Sequence, residues 1–270
     1  MHDGSKKVIL ITGTSSGIGE SCANYLYDLG HKVYGVSRSP HFNPKFKWIK
    51  MDITDDTEVS SVVNYIVDQE GRIDVLVNNA GIHLAGAIEE ISIKEAKQQF
   101  DTNFFGTLNL IRCVLPYMRN QKNGLIINIS SIGGLMGLPF QGMYCASKFA
   151  IEGLTESLRM ELKQTGIHTT LILPGDTCTP ITRHRTKNIS TLKSKNYALS
   201  FYRTMNVIEK DECLGTDPIE IAKLIDKLIH LKSIRVRYII GKLSERLAVM
   251  LKKILPADFF ELILIKKYLL

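Results

Sequence analysis

None of the five cysteines, at positions 22, 113, 145, 178 and 213, pairs with another as CxxC, and none stands at metal-ligand spacing with the seven histidines. That excludes a zinc ribbon or dithiol redox centre as an expectation. No metal is predicted, and the thiols read as reduced, in a cytoplasmic protein. Long apolar runs are missing as well. The start "MHDGSKKVILITG" carries no apolar segment ahead of its first strand pattern, and the tail is interrupted by Lys252, Lys253, Pro256, Asp258 and Glu261. Neither a leader nor a membrane span is expected. Internal repeats and low-complexity linkers are absent. A broad basic surface is absent too: from Leu231 onward nine Lys or Arg face three acidic residues, so about six of the seven net positive charges lie in the last forty residues. With no recognised nucleic-acid motif beside that local charge, no nucleic-acid partner is predicted.

What is present is a regular alternation. Short β-rich runs ("KVILIT", "KVYGVS", "FKWIKMDI", "IDVLVNNAG", "GLIINIS", "HTTLILPG", "RVRYIIG") are separated by longer helical patterns such as "EVSSVVNYIVDQEG" and "PIEIAKLIDKLIHLK". Nearly continuous apolar strands between helices predict an α/β, Rossmann-type doubly wound fold: a parallel sheet of about seven strands with helices on both faces. The chain reads as one domain over residues 1–270. Two segments depart from the alternation. Residues 176–216 form a polar loop after a strand end, where loops commonly cover ligands, and residues 243–270 read as two short amphipathic helices separated at Pro256.

"TGTSSGIG", residues 12–19, follows the first strand and opens the first helix. Amides at a helix N-terminus attract phosphate, and glycines at 13, 17 and 19 let a pyrophosphate approach the backbone. At the end of the second strand, "VSRS" offers Ser37 and Arg38 where an NAD-selective site usually has a carboxylate for the ribose hydroxyls. Arg38 would instead bind a 2′-phosphate, which favours NADP(H), with NAD(H) as the alternative. "YCASK" places Tyr144 and Lys148 one helical turn apart, so a cation can lower the phenol from its usual value of about 10 towards acid/base work.

Taken in order, TGTSSGIG, "NNAG" at 78–81, "NISS" at 128–131, YCASK and "PGDTCT" at 174–179 resemble the short-chain dehydrogenase/reductase family in its form of about 250 residues. The resemblance implies an NADP(H)-dependent oxidoreductase that interconverts a secondary alcohol and a ketone. It implies Tyr144 as general acid/base, Lys148 as the cation that lowers its pKa and holds the nicotinamide ribose, Ser131 rather than Ser130 as the group on the substrate oxygen, and Asn103 as the residue that positions a water. For the cofactor it implies Gly13, Ser15, Ser16, Gly17, Ile18 and Gly19 at the phosphates, Ser37 and Arg38 at the ribose, and Asp52 and Ile53 at the adenine. Asn79, Ala80 and Gly81 follow along the sheet, with Pro174, Gly175, Thr177 and Thr179 at the nicotinamide end. Asp176 departs from the usual apolar or small residue, and it is expected to cap its loop, contact with a polar part of the substrate being the alternative.

The tail resembles that of members acting on steroids, retinoids or fatty acyl derivatives, which implies a lipophilic substrate and a place in lipid metabolism; reduction of small polar carbonyls is the alternative. The basic amphipathic tail is expected to pack on the domain with its lysines in water, a lid or peripheral membrane contact being less favoured. A homodimer or homotetramer through the helices around 101–119 and 144–164 is implied by the resemblance. A protein that only senses NADP(H) is disfavoured, because sensing needs no proton donor.

Overall fold

The computed structural model describes residues 6–40 and 43–270; residues 1–5, on which the expectation of no leader partly rests, lie outside the described residues. Seven strands form one parallel sheet: β1 (Val8–Thr12), β2 (Lys32–Ser37), β3 (Lys47–Lys50), β4 (Val75–Asn78), then β6 (Gly124–Ile129), β7 (Ile167–Pro174) and β9 (Arg237–Ile240), in the order β3-β2-β1-β4-β6-β7-β9. The short β5 (Leu84–Ala85) and β8 (Thr186–Lys187) pair separately, also in parallel. The strand order reverses between β1 and β4. That reversal opens a crevice at the carboxyl ends of the strands, where such folds bind ligands.

Each central strand is buried throughout because helices cover both faces. Side chains alternate: Ile9, Ile11, Val75, Val77 and Ile127 face one layer, and Val8, Leu10, Leu76 and Ile126 face the other. The first layer is α1 (Gly17–Asp28) and α9 (Pro218–Ile229), packed through Cys22, Leu26, Ile221 and Ile225. On the other lie α2 (Asp56–Glu70), α4 (Gly106–Gln121) and α5 (Gly142–Glu161), while α3 (Ile93–Phe100) leads into α4. These apolar layers account for the near-continuous hydrophobic strands of the sequence.

Three local features differ from the sequence reading. The pattern "EAKQQFDTNFFGTLNL" predicts one helix, but Asp101–Phe105 is a π-helical turn between α3 and α4. Residues 176–216 are not a plain loop: they hold α6 (Ile181–His184), β8, α7 (Ile189–Lys193) and α8 (Ala198–Cys213). Ile189, Leu192, Leu199 and Tyr202 are exposed on their outer faces, so no clean apolar stripe marks these helices in the sequence, while Phe201, Met205 and Ile208 are buried within. Finally, α10 (Leu243–Ile254) and α11 (Ala257–Tyr268) flank Pro256 as expected, yet they do more than cover the core. Val249 and Phe260 are buried with Met136, and Tyr268 packs with Phe201, so both helices return to the carboxyl edge of the sheet. No helix among the described residues is long and apolar enough to cross a membrane.

Candidate active site

The turn after β1 is built by close backbone approach. Gly13 has φ +72, and a Cβ on it would fall 2.8 Å from the Ala80 Cα; one on Gly19 would fall 2.2 Å from the Gly13 carbonyl oxygen. No other residue type fits either position. Asn79 closes the turn from β4, its Nδ2 donating to the carbonyls of Thr12 at 2.9 Å and Gly13 at 3.2 Å, while Thr12 Oγ1 accepts from the amides of Asn79 and Ala80. Ser16, the N-cap of α1, makes no side-chain cap hydrogen bond. The first-turn amides thus have no side-chain cap, and Gly17 and Ile18 border the crevice, an arrangement suited to an anionic group.

A cavity of about 1150 Å³ runs from this turn along the carboxyl edge. It is lined by Gly13, Ser15, Ser16, Gly17, Ile18, Ser37, Arg38, Asp52, Ile53, Asn79, Ala80, Gly81, Asn103, Ser131, Tyr144, Lys148, Pro174, Gly175, Thr177 and Thr179. Gly19 stands behind the turn as packing. Every other residue proposed from the sequence therefore meets one space. Arg38 is exposed at its rim and lies 3.9 Å from a carboxylate oxygen of Asp52, a loose contact that leaves the guanidinium available to an anion.

The proton-handling groups are held by tertiary ties. The π turn directs Asn103 onto Ile82, with Oδ1 accepting from the Ile82 amide at 2.8 Å and Nδ2 donating to its carbonyl at 3.1 Å. Asn103 Nδ2 also reaches Ser147 Oγ at 3.1 Å, and that hydroxyl donates to the Tyr144 carbonyl at 2.7 Å. A second tie runs through the buried amides: Asn78 Nδ2 donates to Asn128 Oδ1 and Asn128 Nδ2 donates to Thr155 Oγ1, each at 2.8 Å. It joins β4, β6 and α5, the helix that carries Tyr144. Lys148 Nζ donates to the Ile129 carbonyl at 2.8 Å and stands 5.8 Å from the Tyr144 ring centroid.

Burial pushes the Tyr144 phenol up to about 12, with a hydrogen bond to Ser131 and the charge of Arg185 opposing the rise. Burial also brings Lys148 down to about 8, against the pull of Glu152. Desolvation is the largest influence on both groups. Ser131 is the serine beside the Tyr144 phenol, whereas buried Ser130 is turned toward Glu152.

Several neighbours were invisible in the sequence. His83 stacks on Tyr144 with ring centroids 4.0 Å apart and planes 16° from parallel. Arg185, wholly buried at its side chain, pairs with Glu212. Asp176 is not the loop cap: the cap is Glu245 of α10, whose carboxylate accepts from the Asp176 amide and the Lys242 amide, each at 2.6 Å. That carboxylate fills the space where a Cβ on Gly175 or Gly241 would lie, 2.2 and 2.4 Å from Glu245 Oε2. Away from the site, His31, Asp226 and His230 converge, a cluster unseen in the spacing. There His31 Nδ1 accepts from the Lys7 amide at 3.2 Å, which leaves the proton of a neutral ring on Nε2, 3.9 Å from Asp226, and burial lowers the pKa of that ring.

A family profile described as short chain dehydrogenase matches residues 7–190. The chain belongs to the short-chain dehydrogenase/reductase family and is an oxidoreductase acting on CH–OH groups. It is similar to 3-ketodihydrosphingosine reductase of Bacteroides thetaiotaomicron, 43% identical over 258 residues that cover 94% of this chain and 95% of that protein. Retinol dehydrogenase 8 of Bos taurus is 34% identical, with 83% and 78% covered. Among solved structures, a short-chain dehydrogenase from Streptomyces avermitilis superposes with a TM-score of 0.78 at 29% identity, covering 93% of this chain and 95% of that one. ElxO with NADP bound gives 0.70 at 28%, covering 87% and 96%.

The Asp176 carboxyl, half-buried and hydrogen-bonded to Glu245, is held up at about 7, above the ordinary value of about 3.9. Between those values the folded chain keeps a proton that the unfolded chain has lost, so this group's contribution to stability falls as pH rises from about 4 through 7. Asp176→Asn is expected to flatten that part of the curve of Tm against pH and to raise Tm at pH 8. An unchanged curve would mean that the two carboxyls do not share a proton.

Proposed function

We propose that the protein is an NADP(H)-dependent reductase of a lipophilic ketone, of the fatty acyl class. The observation that carries this reading is the two-ended lining of the cavity. One end holds the glycine turn, Arg38, Tyr144, Ser131 and Lys148; the other is walled by Met136, Leu138, Leu251, Phe260 and Leu264, the last three from α10 and α11. A long apolar chain suits that wall, and a relative of 43% identity is named for a long-chain ketone. Small polar carbonyls would leave the apolar wall in contact with water.

The cofactor would be held by the α1 amides and Ser15 at its phosphates, by Arg38 at a 2′-phosphate, and by Asp52, Ile53, Asn79 and Gly81 along the adenosine. Lys148, Pro174, Gly175, Thr177 and Thr179 would hold the nicotinamide end. When bound, a reduced nicotinamide supplies hydride to the carbonyl carbon. Tyr144 donates its proton to the oxygen as negative charge grows there, and Ser131 donates a second hydrogen bond that fixes the oxygen's position. A phenol held at about 12 keeps that proton until the oxygen needs it. Asn103 orders a water through which the proton is replaced.

The helices around 101–119 and 144–164 leave Phe105, Phe149 and Met160 exposed, which supports self-association through that face. Peripheral lipid contact, the less favoured expectation for the tail, gains support from α10. Leu243, Leu247, Met250 and Ile254 are all exposed at one-turn spacing, and basic residues flank them.

Oxidation of NADPH with long-chain ketones is expected to exceed oxidation with NADH, and to fall at least about a thousandfold in Tyr144→Phe. Arg38→Asp should reverse the cofactor preference through repulsion of the 2′-phosphate. Tight NADPH binding with no turnover of any ketone would favour a sensing role, and turnover of small polar carbonyls alone would remove the lipophilic reading. Light scattering coupled to size exclusion should give a dimer or tetramer; a monodisperse monomer refutes the interface. Co-sedimentation with anionic vesicles should weaken in Leu247→Glu, and equal recovery of both proteins would set lipid contact aside.

A further inference from the structure

His83 and Arg185 have no part in the motifs, yet both are buried beside Tyr144. The small sheet brings them there. β5 and β8 pair in parallel, the Thr186 amide donates to the His83 carbonyl at 2.9 Å, and Arg185 is thereby set next to the histidine from 102 residues away. Its Nη2 lies 3.4 Å from His83 Nδ1 and donates to Glu212 of α8, whose other oxygen accepts from Thr182 Oγ1 at 2.7 Å.

The chemistry of these groups fixes their states. A guanidinium has only donors, so the Nδ1 facing it carries the lone pair and the imidazole proton sits on Nε2. Burial and the Arg185 charge both oppose a second proton, so His83 is neutral. A neutral ring 4.0 Å from the phenol, nearly parallel to it, restricts the phenol to one plane. Glu212, Arg185, His83 and Tyr144 thus form a row in which a buried ion pair backs a stacked pair of rings.

Building on the reading of Tyr144 as proton donor, we propose that His83 and Arg185 are positioning residues. The Arg185–Glu212 pair locks His83 flat against the phenol, the stack aims Tyr144 into the cavity, and the guanidinium adds positive charge beside it in addition to Lys148. The titratable groups around the phenol are Cys145 and Lys148 on its own helix, Glu212 on α8, and His83 and Arg185 directly before the two strands of the small sheet. Of these, Arg185 stabilises the phenolate and Glu212 opposes it. Their removal therefore acts in opposite directions.

The test is the pH dependence of kcat for alcohol oxidation with NADP+, alongside reduction kinetics. His83→Ala is expected to lower kcat on the order of tenfold to a hundredfold while leaving NADPH binding unchanged, because a small misplacement of the donor is enough. His83→Phe, which keeps a stacking ring, should recover most of that loss. Arg185→Met should shift the apparent pKa of the acid limb upward and Glu212→Gln should shift it downward. A merely structural role would lower activity in both variants without opposite shifts. Wild-type kcat in His83→Ala, no recovery in His83→Phe, or shifts of the same sign would overturn the proposal. Should Arg185→Met fail to fold, Glu212→Gln and the two His83 variants still decide it. Tyr144→Phe separates the premises: if that variant stays active the reading of Tyr144 fails, and if it is inactive while His83→Ala is normal only this inference fails.

Discussion

The ends of β1 and β4 are joined by one threonine and one asparagine, and the functional edge of the molecule depends on that joint. Where the ladder stops and the strands diverge, Thr12 Oγ1 accepts two amides and Asn79 Nδ2 donates to two carbonyls. These bonds satisfy backbone groups that would otherwise be stranded at the opening of the crevice. The same approach leaves no room for a Cβ at Gly13 or Gly19. Glycine in the turn and asparagine after β4 are therefore one requirement expressed at two places in the chain.

A second consequence of close packing is electrostatic. Burial disfavours phenolate at Tyr144 and ammonium at Lys148 alike, and moves their values apart, to about 12 and about 8. The pair is therefore inclined towards a protonated phenol, a state suited to giving a proton to a reduced carbonyl. Arg185 and Glu212 bear on the same phenol with opposite signs. The carboxyls of Asp176 and Glu245 form another desolvated pair further along the cavity. Charge in this cavity is governed by solvent exclusion first and by partner spacing second.

The fold was legible in the sequence because a parallel sheet covered on both sides leaves a plain trace: apolar strands with no polar alternation, separated by helices. The site was legible because its residues cluster in short ordered motifs. Less legible was anything that arises where distant segments meet. "DTNFFG" contains Asn103 but gives no sign of a π turn, since a bulge in a helix alters no residue pattern. Residues 176–216 read as loop because α6 and α7 are too short for periodicity to carry a signal, and α8 has apolar residues such as Leu199 and Tyr202 on its exposed face as well as on its buried one. Asp176 was assigned a capping role that belongs to Glu245, 69 residues away.

By itself, the sequence determined the sheet, the nucleotide turn, the candidate proton donor and the family, because each rests on local pattern or on short motifs in a set order. Only the tertiary structure decided which groups surround Tyr144, which sign their influence takes, and that the C-terminal helices wall the cavity as well as pack. The physical reason is that desolvation and Coulomb interaction depend on distance in space. No spacing along the chain encodes that His83 and Arg185, 102 residues apart, touch.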